Sequence, residues 1–252
     1  MSAAISIRDA KLRFGHTLAL YGVTLDVAPR ACFGLVGESG SGKTTLMRVI
    51  LGLERLQSGS VALFGTPLGS GGAGIRQRSR FVQAIFQDPA ASLSPRRHIG
   101  QLLDEIGEVL GEPRESIRQR QAALFQSLGL PAGTVDKYPY QISGGQARRV
   151  AVARALLMNP RILIADEPTA GLDVSVQGDL LNLLQELRGD RDLTLMVVSH
   201  NLAVVRLIAD AAAVMHRGQI VEHGIAAQVF DAPTAEYTKR LLASWPRLRA
   251  VI

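Results

Sequence analysis

Chemistry is concentrated in a few short stretches of the 252-residue chain. The first is Gly37, Glu38, Ser39, Gly40, Ser41, Gly42, Lys43 and Thr44. It follows an apolar run, Cys32 to Val36, that reads as a short buried strand, and it precedes Thr45 to Leu51, whose apolar spacing suits a helix. Strand, glycine-rich loop and helix in that order make a phosphate cradle, or P-loop. Phosphates need many donors at close range. Glycines let backbone N–H groups curl inward without Cβ clashes, and the helix start adds its own free N–H groups and positive dipole end. Lys43 is expected to reach the β- and γ-phosphates, and Thr44 to place its hydroxyl on Mg²⁺.

Further downstream, Ser143, Gly144, Gly145 and Gln146 open a second helix, with Ser143 as N-cap and an apolar face of Val150, Val152, Ala153, Leu156 and Leu157. This is a second phosphate-friendly helix start. Two such sites are hard to use on one nucleotide unless two copies of the fold face each other, which points to a dimer with composite sites. The run Ile162 to Ala165 suits a buried parallel strand and ends in Asp166-Glu167, at the end where α/β sheets place their sites. Asp166 is suited to supporting Mg²⁺, and Glu167 to orienting and polarising water near the γ-phosphate. Another apolar strand, Leu193 to Val198, ends in Ser199-His200. An imidazole there is able to contact the γ-phosphate, although a lone histidine is more often structural.

The elements that must position these residues read as follows. Residues 5–28 alternate like strands and predict a small antiparallel β layer. Phe14 lies in it; the ring is able to stack on a base, but periodicity alone favours a core aromatic. Ser58-Gly59 and Phe64 to Pro67 read as turns, Gly69 to Gly74 as a flexible surface loop, and Phe81 to Phe86 as a strand with Gln87 at its end. Residues 88–142, punctuated by prolines, carry helical spacing over Ile99–Leu110 and Ile117–Leu128, a mostly helical insertion between two halves of an α/β lobe. Residues 211–225 predict two strands around an Arg217-Gly218 turn, and 226–244 predict helix.

Bulk properties bound the function. With 47% apolar residues the chain can build one large core or two small lobes. The net charge of +6 permits an anionic partner, but the lysines and arginines are scattered with no arginine-rich run among aromatics, so no nucleic-acid partner is expected. Cys32, the one cysteine, reads as a small core residue and can build neither a disulfide nor a cysteine-based metal site. The N-terminus lacks the apolar core of a signal peptide, and no apolar run reaches the roughly 18 residues of a membrane span. A cytoplasmic chain is expected, attached to a membrane only through partners.

In order along the chain, these motifs resemble the nucleotide-binding subunits of ATP-binding-cassette (ABC) systems, from about Ile5 to Leu242. The resemblance rests on the Walker A loop at 37–44, the Q-loop at Gln87, the signature Ile142 to Gln146, the Walker B strand ending in Asp166-Glu167, the D-loop Ala170-Gly171-Leu172-Asp173 and the switch His200. It implies a single nucleotide-binding domain over 1–252 with a P-loop NTPase fold: a RecA-like parallel-sheet core (about 1–87 and 159–244), the antiparallel layer and a helical subdomain (about 88–158). It places Phe14 on adenine, residues 37–45 including Thr45 on the phosphates, and Thr44, Gln87 and Asp166 around Mg²⁺. Lys43, Glu167 and His200 become the catalytic groups. Ser143, Gly145 and Gln146 contact the ATP of an opposite subunit, and Gly144 and Asp173 join the nucleotide-binding residues.

A narrower resemblance lies in Phe86 to Arg96 and in Gly171 to Gln177, which look like the importers of dipeptides, oligopeptides, nickel and opine-bound metal. It implies two ATPase chains, commonly different, with two transmembrane permeases and an extracytoplasmic binding protein, working at the cytoplasmic face of the inner membrane. Longer members carry a C-terminal extension, sometimes with cysteines; this sequence ends soon after Trp245-Pro246. The Gly-Leu-Asp-Val-Ser-Val-Gln segment also resembles a soluble ATPase subunit of the carbon–phosphorus lyase machinery, an alternative against which the importer-like 88–98 stretch speaks. Repair or translation ATPases of the superfamily carry long coiled-coil insertions or tandem cassettes, for which this sequence has no room. Four positions depart from the family pattern: Ile142 for leucine, Phe14 for tyrosine, Arg30-Ala31 for Gly-Glu before the P-loop strand, and Ala147-Arg148 for Arg-Gln after the signature. None touches Lys43, Glu167 or His200, so hydrolysis is expected.

Overall fold

The computed structural model describes residues 2–67, 72–88 and 92–244. Gly69, Ser70 and Gly71 of the expected loop, Pro89, Ala90 and Ala91 of the importer-like stretch, and Trp245-Pro246 lie outside them.

The chain begins with a hairpin, β1 (Ile5–Phe14) and β2 (Thr17–Val27), followed by β3 (Cys32–Val36) and helix α1 (Lys43–Leu51). Next come β4 (Ser58–Leu63), the short β5 (Thr66–Pro67), α2 (Gly72–Ser79) and β6 (Val82–Ile85). Helices α3 (Ile99–Leu110), α4 (Arg114–Ser127) and α5 (Gly144–Leu157) form a block, with two 3₁₀ turns between α4 and α5. The chain then alternates: β7 (Ile162–Asp166), α6 (Val174–Asp190), β8 (Thr194–Ser199), α7 (Leu202–Ile208), β9 (Ala211–His216) and β10 (Gln219–Ile225). Helices α8 (Ala226–Asp231) and α9 (Glu236–Ser244) follow.

Two sheets result. One is antiparallel, in the order β2-β1-β4-β5, and the other runs β10-β9-β3-β8-β7-β6, parallel except for β10. The strands of the second sheet read as unbroken apolar runs because both faces are covered, and period two sorts their side chains between two cores. Phe33, Leu35, Ile162, Ile164, Met196 and Val198 pack toward α1 and the antiparallel sheet. Cys32, Val36, Leu163, Ala165, Leu195 and Val197 pack with the helices of the opposite face. Burial pushes the Cys32 thiol up to about 12, which keeps it an inert core residue.

Several local expectations are corrected. Ser58-Gly59 belongs to β4 rather than to a turn, since Gly59 sits at the irregularity between the Arg8–Ser60 and Lys11–Ser58 pairs. There a Cβ would lie 2.5 and 2.4 Å from the carbonyl oxygens of Arg8 and Asp9, a close approach that only glycine permits. Gly72–Gly74 open α2 instead of continuing a loop. The 226–244 helix is two helices, broken where the Thr234 and Ala235 N–H groups donate to the Glu222 carboxylate. Phe14 is not in the core: it ends β1 with 46% of its surface exposed. The turn before β3 keeps the shape a glycine would give it, because Arg30 itself takes the left-handed φ of 63° while its N–H donates to Thr194 Oγ1.

Candidate functional site

β3 delivers the chain to the phosphate loop at the C-terminal end of the parallel sheet. Gly37, Gly40 and Gly42 have φ of 152, 78 and 108°, the region that favours glycine. At Gly42 a Cβ would stand 2.6 Å from the Ala19 carbonyl oxygen of β2, so the antiparallel sheet borders the loop directly. The Arg217-Gly218 turn props it from below, with the Gly218 N–H donating to the Ser41 oxygen at 2.8 Å. Gly42 caps α1 without any side-chain bond, which leaves the first-turn N–H groups to an incoming anion.

Inside the loop, Lys43 is 7% exposed and its Nζ donates to the carbonyls of Gly37 (2.7 Å) and Glu38 (2.9 Å). Burial lowers its pKa, against the upward pull of the Glu167, Asp166 and Glu38 carboxylates. The Ser41 hydroxyl is buried with no hydrogen-bond partner among the described residues. An orphaned buried hydroxyl beside a buried ammonium is a donor set short of an acceptor, and it fits a polyphosphate. Glu38, Ser39, Gly40 and Thr44 are exposed, and Thr45 is half-buried.

Asp166 ends β7, two strands away in the same sheet, 8% exposed. Burial raises its pKa, the neighbouring Glu167 raises it further, and Lys43 and Arg48 oppose both. A buried carboxylate facing a lysine beside a phosphate loop fits a divalent cation shared with the phosphates.

Glu167 is the most constrained residue of the site. Its φ is 48°, a left-handed conformation uncommon for glutamate, and its N–H donates to the Val198 oxygen. Its carboxylate accepts from Ser199 Oγ at 2.9 Å, from the His200 N–H at 2.8 Å and from His200 Nδ1 at 2.6 Å. A carboxylate accepts, so Nδ1 carries the proton. In the sequence Ser199 reads only as the end of a strand; its role in holding Glu167 comes from the β7–β8 register, which pairs Asp166 with Val198. The available signal was a Ser-His pair closing a buried strand beside one that closes in two acids.

Gln87 lies exposed just past β6. Ser143 caps α5 in a reciprocal box: its Oγ accepts from the Gln146 N–H, and Gln146 Oε1 accepts from the Ser143 N–H. Ser143 and Gly144 are exposed, Gly145 and Gln146 half-buried, and Asp173 is an exposed N-cap of α6. The structure thus brings Lys43, Asp166, Glu167 and His200 together. Among the described residues no hydrogen bond joins Ser143–Gln146 to the phosphate loop. No helix of the described residues is long and apolar enough to cross a membrane.

Comparison with known proteins agrees with this geometry. The family model for ABC transporters matches residues 20–170, more than half of the chain. The oligopeptide transport ATP-binding protein OppF of Salmonella typhimurium is 40% identical over 238 residues, which is 90% of this chain and 69% of that one. OppF of Lactococcus lactis is 37% identical over 263 residues, 98% and 82% of the two chains. OppD of Mycobacterium bovis is 42% identical over 234 residues; the match takes 92% of this chain but only 38% of the mycobacterial protein. Among solved structures, cbiO1 from Clostridium perfringens, part of the ABC transporter complex cbiONQ, superposes with a TM-score of 0.84 at 27% identity, covering 98% and 97% of the two chains. The dimeric ATP-binding cassette MJ0796, bound to ADP and Pi after hydrolysis, gives a TM-score of 0.76 at 25% identity over 88% and 98%. A phosphate loop with its acids and histidine, on this fold and with these relatives, settles the family: the chain belongs to the ABC transporter family, as an ATP-binding cassette.

Proposed function

We propose that the chain hydrolyses ATP as one ATPase subunit of a membrane importer of oligopeptides. The observation that carries the ATPase reading is the cluster beneath the phosphate loop: buried Lys43 and Asp166, the unpartnered Ser41 hydroxyl, and Glu167 held by Ser199 and His200. The oligopeptide proteins named above favour peptides over nickel or opine-bound metal as cargo.

In this reading the triphosphate enters the loop at 37–44, where Lys43 Nζ exchanges two carbonyl acceptors for a charged phosphate oxygen. Phe14, exposed on the bordering sheet, stacks on adenine. Mg²⁺, held by Thr44, Gln87 and Asp166, would neutralise phosphate charge when bound. Glu167 takes the proton of the attacking water at its carboxylate. The Ser199 Oγ–H and His200 Nδ1–H bonds fix where that carboxylate points, and the exposed face of His200 is left for the γ-phosphate. Ser143, Gly144, Gly145, Gln146 and Asp173 serve the ATP of a facing ATPase subunit, taken to be a different chain because relatives of two names, OppD and OppF, align with this one.

The chain then divides into a RecA-like core (about 1–87 and 159–244) and a helical subdomain (about 88–158). A cavity of about 890 Å³ in the helical part is lined by His98, Gln101, Asp104, Arg118, Gln121 and Phe125. It suits a permease loop, which would hold the subunit at the cytoplasmic face of the inner membrane in an assembly with two permeases and an extracytoplasmic binding protein. The test is a detergent-solubilised pull-down from the native cells, with co-purifying chains identified by mass spectrometry. Two multi-spanning permeases with a second ATPase are expected. A soluble assembly with no membrane chain would overturn the importer and put the carbon–phosphorus lyase type of subunit in its place.

A further inference from the structure

We infer that Arg148 is a positioning residue that ties the signature helix to the loop carrying Glu167, so that α5 and the catalytic carboxylate move as one. The inference rests on the ATPase reading above. It also gives a role to a departure from the family pattern, in which this position is glutamine and the arginine precedes it.

Helix α5 carries three arginines that each donate to a backbone carbonyl of another segment. Arg149 Nη1 reaches the Leu128 oxygen past the end of α4 at 2.9 Å, and Arg154 Nη1 reaches the Ser92 oxygen at 2.8 Å. Both of these stay on the helical side of the molecule or in the segment leading to it. Among the described residues, Arg148 is the one of the three that reaches the segment leaving the sheet: its Nη2 donates to the Ala170 oxygen at 3.2 Å. Ala170 belongs to the turn that leaves β7, and its own N–H donates back to the Glu167 oxygen at 3.1 Å. The path from α5 to the strained Glu167 backbone is therefore one guanidinium and one turn long. The preceding residue, Ala147, is 3% exposed and points into the core, so an arginine there could not make this contact without leaving its place.

Two further observations set Arg148 at a joint. Its Nη1 is buried with no hydrogen-bond partner among the described residues, and Arg148 lines a cavity of about 200 Å³ together with Ser143, Gln146, Leu172 and Val176. Burial pushes its pKa down while the Asp88 carboxylate, next to Gln87, pushes it back up. The guanidinium thus stands among the signature, the loop after Glu167 and the residue following Gln87. A planar fork of donors can serve such a junction, whereas a glutamine is shorter and neutral. A half-buried guanidinium whose Nη2 is held by the Ala170 carbonyl resists separation of the two parts, because pulling α5 away would break that bond.

The test compares Arg148→Gln, Arg148→Lys and Arg149→Gln in the complete assembly, by ATP affinity, by phosphate release and by hydrogen exchange of the Ala170 and Leu172 amides. Arg148→Gln is expected to lower kcat about tenfold with ATP affinity unchanged within about twofold, and to speed exchange at both amides. Arg148→Lys keeps the charge but not the fork and recovers part of the rate. Arg149→Gln, which cuts a contact of similar length inside the helical region, lowers the melting temperature and leaves kcat and those two amides alone. An active wild type whose Arg148→Gln variant keeps its kcat, or whose Arg149→Gln variant loses as much, overturns the inference. A wild-type assembly that releases no phosphate overturns the ATPase reading, and this inference with it.

Discussion

The glycine-rich helix starts at 37–44 and 143–146 are similar in composition and opposite in setting. The first is enclosed. Its glycines take left-handed conformations, the Met215 and Ala19 carbonyls crowd Gly37 and Gly42 while Gly40 at the tip meets nothing, and Lys43 is buried among three carboxylates. The helix that follows has no side-chain cap, so its N–H groups remain for a ligand. The second is open. A Cβ on Gly144 would meet nothing within 4 Å, and one on Gly145 only Ser143 Oγ at 4.0 Å. Its helix is already capped by the Ser143–Gln146 box. Both offer backbone donors to an anion, but only the first is surrounded by the groups that would desolvate it and do chemistry on it. The second presents a finished edge outward, the form expected of a surface that completes a site on another subunit.

The largest effect that would break this contrast concerns the enclosed half. Glu167→Gln keeps the shape and loses the base, and is expected to lower phosphate release by about 10²–10⁴-fold while ATP affinity holds, since proton transfer is needed only in the transition state. A variant with wild-type turnover would remove Glu167 from the chemistry.

Paired glycine substitutions come next. Gly42→Ala meets a φ of 108° and a carbonyl at 2.6 Å, and is expected to cost about 1–3 kcal/mol, visible by calorimetry, and to abolish ATP binding. Gly145→Ala is expected to leave melting temperature and ATP affinity at wild-type values yet to depress phosphate release by the assembly. If both variants lost stability alike, the distinction between enclosed and open would fail. A smaller effect is expected for Ser143→Ala, which removes the α5 cap at a cost of about 1 kcal/mol, a shift of about 2–4 °C in melting temperature for a chain of this size.

The smallest lies outside both regions and supplies a pure stability reference. Burial works to raise the Glu222 pKa, yet the carboxyl lies below its ordinary value, drawn down by hydrogen-bond donors that include those of Thr234 and Ala235. A depressed folded-state pKa stabilises above the unfolded value and is lost as pH falls through the folded one. Glu222→Gln should therefore melt below wild type at neutral pH, with the gap closing as the buffer is taken into the acid range. Thermal scans across that range, with phosphate release unchanged at neutral pH, check it.

Much of this was legible beforehand. Cys32–Val36 is legible to the residue, and the β7 strand as the run Ile162 to Ala165 closing in its acids, because a parallel strand covered on both faces is an uninterrupted apolar run. Helix α3 was equally legible from its spacing, and the Arg217-Gly218 turn from its glycine. The misses share a cause. Gly59 looked like a turn because glycine usually marks one, while the reason for it here, the crossing carbonyls of Arg8 and Asp9, lies on a strand far away in sequence. The break between α8 and α9 depends on Glu222, on a different element. Phe14 alternates like a core residue, yet β1 carries it past the edge of the packing.

By itself the sequence determined the fold class and the local chemistry of each motif, since a phosphate loop, an N-cap box and a strand ending in acids are made by neighbours along the chain, within a few bonds of one another. Only the tertiary structure decided how the motifs act on each other. That Ser199 and His200 hold Glu167, and that Arg148 reaches Ala170, follows from β7–β8 register and from the seat of α5 against the sheet. Such contacts join residues 22 to 33 positions apart, and their geometry is set by the packing of whole elements, which no local pattern encodes.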